Sequence, residues 1–94
     1  MKFNENDLKN AILSCDKSKI NKLYCDICAE IENLEKQRQM IAVTLKTLKV
    51  AKFDDTEDFK NLKNVDTNLL GTIITYRNLR IRAFNAYTYA NSLA

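Results

Sequence analysis

Cys25-Asp26-Ile27-Cys28 is a CxxC pair, the spacing used by thiol redox centres and by half of many zinc sites. In redox enzymes of the thioredoxin type, the pair opens a helix after a strand, where the helix N-terminus lowers the thiol pKa. Here it falls inside a long helical pattern. A structural zinc site normally takes four ligands, and this chain has no histidine and only Cys15 as a third thiol. The expectation is therefore free, half-buried thiols, with no cofactor and no metal.

A second chemistry is carried by Arg77, Arg80 and Arg82, interleaved with Tyr76, Phe84, Tyr87 and Tyr89. Arginine holds phosphate and aromatic rings stack on bases, so this pattern is the chain's argument for nucleic acid. No acidic residue occurs from Thr67 to Ala94. Against it, the net charge is only +3, no recognition-helix motif is present, and aromatics at helical spacing usually build a core. Nucleic-acid association through this basic face is the alternative reading.

The third feature is Arg38, lodged in an apolar series. Ile20, Tyr24, Ile27, Ile31, Leu34, Ile41, Leu45 and Leu48 recur at alternating spacings of four and three, with Arg38 in the slot between Leu34 and Ile41. Recurrence every 3.5 residues describes a coiled-coil seam, which buries itself only against another helix. An arginine in such a seam either lays its stem along the apolar surface and sends its head to Glu35 or another carboxylate, or anchors an acidic partner. Arg38, Arg77, Arg80 and Arg82 are thus the candidate contacts for a partner or an anion.

Nothing in the chain supplies a catalytic constellation. It has no histidine, no phosphate-binding glycine loop and no paired carboxylates in a pKa-shifting setting, so a non-enzyme is expected.

These residues must be positioned by helices. The chain has no proline and one glycine, and its 94 residues suffice for a single small domain. Asn4 and Asp7 are placed to cap a first helix, over about 5–15, with Phe3 and Leu8 in hydrophobic-staple positions. Asp16 or Ser18 can cap a second, over about 18–52. Asp54 and Glu57 have capping-box spacing before a short connector helix, about 56–63. Val65 and Asp66 repeat that logic before a last helix, about 67–92, in whose early turns Gly71 would permit close backbone approach.

The last helix carries its own stripe of Leu69, Ile73, Tyr76, Arg80, Ala83, Tyr87 and Ala90, and two stripes joined by a short connector favour an antiparallel hairpin. Matching them layers Leu48 on Leu69, Leu45 on Ile73, Ile41 on Tyr76, Leu34 on Ala83, Ile31 on Tyr87 and Ile27 on Ala90, with Arg38 against Arg80. A competing arrangement pairs the second helix with its own copy, Ile31 opposite Ile41 and Ile27 opposite Leu45. Charge favours that pairing being antiparallel: Asp16–Glu35 carries five acids and three lysines, while 36–53 carries five basic residues and no acid. Both pairings together give a dimeric helical bundle.

The 46% hydrophobic and 29% charged fractions are those of an ordinary folded protein. No apolar run is long enough to span a bilayer, and the first residues lack a signal-peptide core, so no membrane association and a reducing cytoplasmic setting are expected. Abundant asparagine and lysine fit an AT-rich bacterial, phage or viral genome. The expected function is a small protein-binding module of the adaptor, inhibitor, immunity or chaperone type: a homodimer with a protein partner.

Overall fold

A computed structural model describes residues 1–93. It is all helical: α1 spans Glu5–Leu13, α2 Lys17–Val50 and α3 Glu57–Ser92. Local chemistry sets most of these boundaries. The Asn4 side chain accepts from the Asp7 backbone N–H while the Asp7 carboxylate accepts from the Asn4 N–H, a complete capping box. Asp16 caps α2 by accepting from the Ser18 N–H, and the same hydrogen bonding, with the Ser18 hydroxyl, holds its carboxyl below the usual value. Thr56 caps α3 through Phe59.

α1 ends at Leu13, two residues short of expectation, because Cys15 turns left-handed at φ 58°. α2 ends in the same way. Lys52 takes φ 66°, donates to the Lys49 carbonyl, and lets the Phe53 N–H reach back to Leu48 at 2.8 Å. This is a Schellman closure built without glycine.

The separate connector helix does not form. α3 runs unbroken through residues 64–66, so Asp66 is neither a cap nor a helix start. No proline or glycine interrupts that stretch, and extending an existing helix is far easier than nucleating a new one. Gly71 consequently lies well inside α3, exposed, and a Cβ there would meet nothing within 4 Å. The expected close approach at Gly71 is absent.

α2 and α3 pack as an antiparallel hairpin, with α1 laid across one end. The core lies at that end: Leu8, Ile27, Ile31, Leu34, Ile73, Tyr76, Leu79 and Ala83 form one buried cluster, with Phe3, Leu23, Tyr24 and Leu69 against it. The Tyr76 hydroxyl, almost fully enclosed, accepts from the backbone N–H groups of Lys2 (2.7 Å) and Phe3 (3.3 Å), and the Phe3 ring meets the Tyr76 ring edge-on. This clasp ties the N-terminus to α3.

The register differs from the layering expected from the two stripes. Tyr24 packs on Phe84, and Arg38 meets Asp66, about four helical turns nearer the connection than Arg80. The apolar periodicity of both helices repeats every heptad, so stripe matching alone accepts several registers; the buried end and the ion pairs select one.

The chain is elongated, with extents of 60 × 18 × 14 Å. Its radius of gyration is 17.8 Å, against about 12 Å for a compact domain of this length. No described helix is long and apolar enough to cross a membrane.

Candidate functional site

The α2 seam divides into two parts. Ile20, Ile27, Ile31 and Leu34 are buried by the chain's own α1 and α3 end, whereas Tyr24, Ile41, Leu45 and Leu48 stay half-buried. An intact hairpin therefore has no room for a second copy on Ile27 and Ile31, because α3 already occupies that face. Beyond Leu34 on α2 and before Ile73 on α3, no residue is buried. The distal half of the hairpin is a bare two-helix tip.

Along that tip α2 presents another apolar stripe. Met40, Val43 and Val50, with Thr47 between, recur at spacings of three and four but off the seam, and the three are 71%, 67% and 77% exposed. The regular 4-3 seam masks this second apolar set on another face of the same helix. Its signal was the spacing itself.

Three of the four candidate arginines are engaged within the chain. Arg38 donates from Nε and Nη2 to the two carboxylate oxygens of Asp66, at 2.9 and 3.1 Å. The pair draws the Asp66 carboxyl below its ordinary value and raises the Arg38 guanidinium. The carboxylate that the intruding arginine required is thus supplied by α3. Asp66 extends the α3 stripe backward as Leu62, Asp66, Leu69, Ile73, so one acid intrudes on that apolar pattern as one base does on the α2 seam.

Arg77 donates to Glu35 at 2.7 Å and Arg82 to Glu5 at 2.6 Å, both on the surface. α2 and α1 thereby supply the acids that α3 lacks. Arg80 has no ion pair among the described residues; it lies half-buried near Tyr24, whose pKa is raised, chiefly by the neighbouring Cys28 thiol and against the smaller opposing pull of Arg80. The four arginines do not converge on one anion site.

Cys15 and Cys25 are exposed and Cys28 is half-buried, all as free thiols. Cys25 and Cys28 lie inside α2 rather than at its N-terminus. Among the described residues, no group of three or more cysteine, aspartate or glutamate side chains is placed to hold a metal ion.

What remains is a surface for apolar contact bordered by charges: the exposed stripe of Met40, Val43 and Val50, the half-covered seam beside it, and a shallow groove between α1 and α3 lined by Leu8, Ile12, Leu13 and Arg82. No protein family, curated protein or solved structure matches this chain.

Proposed function

We propose that this protein is a small non-enzymatic binding module of the adaptor, inhibitor, immunity or chaperone type, working in a reducing cytoplasm, that self-associates through the half-covered part of its coiled-coil seam and binds a protein partner. The observation that carries the reading is the unpartnered stripe of Met40, Val43 and Val50 on α2. Exposed apolar side chains in helical register form the kind of surface that partner helices or grooves cover.

Nucleic-acid association ranks second. Arg80, with no ion pair among the described residues, is open to an anion, but Arg77 and Arg82 would first have to leave Glu35 and Glu5. Tagged protein recovered from its native host provides the test. Wild type should bring down a protein partner that Val43→Asp with Val50→Asp loses, while circular dichroism shows the helices unchanged. Recovery of nucleic acid instead, released by salt, would promote the second reading.

A further inference from the structure

The accessible surface is 6746 Å², whereas a compact monomer of 10.9 kDa exposes about 5,600 Å². The excess, on the order of 1,100 Å², exceeds the roughly 800 Å² that each partner contributes to a standard interface. At the two-helix tip the apolar seam residues Ile41, Leu45 and Leu48 of α2 and Leu62 and Leu69 of α3 are only half covered.

The charges of the tip are polarised along its axis. The turn and first helical residues at its end carry Asp54, Asp55, Glu57 and Asp58, all exposed. The shaft behind them carries Lys46, Lys49, Lys60 and Lys63, also exposed. Among the described residues, none of these eight groups has an ion pair within the chain.

We infer that the occupant of the half-covered tip is a second copy of this chain, overlapped antiparallel so that the acidic end of each copy lies on the lysine shaft of the other. Four helices then enclose Leu45, Leu48 and Leu62, the seam residues level with the lysine shaft, as in an antiparallel bundle. Side-by-side copies pointing the same way would set acid against acid and lysine against lysine, so charge selects the overlapped arrangement. The inference rests on the self-association part of the proposed function and adds its location and orientation; the Met40 stripe is a different face and stays open to the protein partner.

Charge reversal at exposed positions tests the arrangement without touching the packed seam. Wild type should sediment as a dimer. Asp54→Lys with Asp55→Lys, and separately Lys46→Glu with Lys49→Glu, should each weaken the homodimer about tenfold or more, since like charges then face each other at both ends. Mixing the two variants should restore association, because the lysines introduced at the end of one meet the glutamates introduced on the shaft of the other. A wild-type dimer indifferent to both reversals would overturn the overlapped tip while leaving self-association standing. A wild-type monomer at roughly 100 μM, where even weak association shows, would overturn both. A dimer replaced by a complex with a different protein on the tip would likewise rule out the second copy as occupant.

Discussion

Arg38 of α2 and Asp66 of α3 form a two-pronged ion pair where the buried core gives way to the half-covered tip, with side chains 33% and 25% exposed. Two parallel charge-assisted hydrogen bonds demand a fixed relative height of the two helices. Sliding α3 by one turn would leave a guanidinium and a carboxylate facing apolar neighbours. The pair acts as a register pin between two stripes that repeat too regularly to choose a register alone.

Its removal should be asymmetric. Arg38→Leu alone leaves the Asp66 carboxylate half-buried without its partner and should lower the thermal midpoint. Arg38→Leu combined with Asp66→Leu should recover most of the loss or exceed wild type, as apolar replacement of whole ion pairs often does. A double-mutant cycle by thermal denaturation measures the coupling; additive effects would show that the two side chains do not act together.

The same pair makes a signed prediction for acid. Arg38 holds the folded-state Asp66 below its ordinary value of 3.8. Above pH 3.8 the carboxyl is ionised in both folded and unfolded chains and its contribution is complete. As the pH falls below that value the unfolded chain takes up the proton first, so stability declines until the folded-state value is passed. Asp66→Asn should flatten this acid limb of a denaturation series. Some slope should persist, since Asp16 is also held low by Ser18.

Two backbone positions should accept stabilising changes. Gly71→Ala adds a methyl group that meets nothing within 4 Å inside a helix, and should stabilise by about 0.5–1 kcal/mol. Lys52→Gly should gain about 1 kcal/mol by relieving the left-handed conformation at φ 66°. Urea denaturation reads both midpoints; destabilisation by Gly71→Ala would mean that α3 needs flexibility or closer packing there.

Tyr76→Phe removes an acceptor shared by two backbone N–H groups while leaving the buried ring. The expected cost is about 1 kcal/mol. Hydrogen exchange should quicken at Lys2, Phe3 and α1 while α2 and α3 keep their protection. Uniform loss across all three helices would show instead that Tyr76 supports the whole core through this hydroxyl.

Salt dependence separates the two function classes. Binding to DNA or RNA by this chain should be weak, sequence-indifferent and steeply lost as salt rises, because each neutralised phosphate releases counterions. Partner binding through Met40, Val43 and Val50 should respond far less. Tight binding to one nucleic-acid sequence at physiological salt, abolished by Arg77→Ala with Arg80→Ala in a folded chain, would reverse the order of the two readings.

Local interactions determined the parts of the fold that the sequence alone carries. Asn4, Asp7, Asp16 and the apolar spacing act within a few residues of themselves, so the two N-terminal caps, the all-helical class and the antiparallel hairpin can be read directly. Tertiary contacts decided the rest. Whether Asp66 begins a helix or pins one depends on Arg38, twenty-eight positions away, and a carboxylate able to cap is equally able to pair. Which half of the seam is buried depends on where α1 and the Tyr76 clasp fall, because identical heptad spacing describes covered and uncovered stretches alike. The arginines of α3 look free in an acid-poor segment and are mostly engaged, since Glu5 and Glu35 reach them only after the chain has folded back on itself.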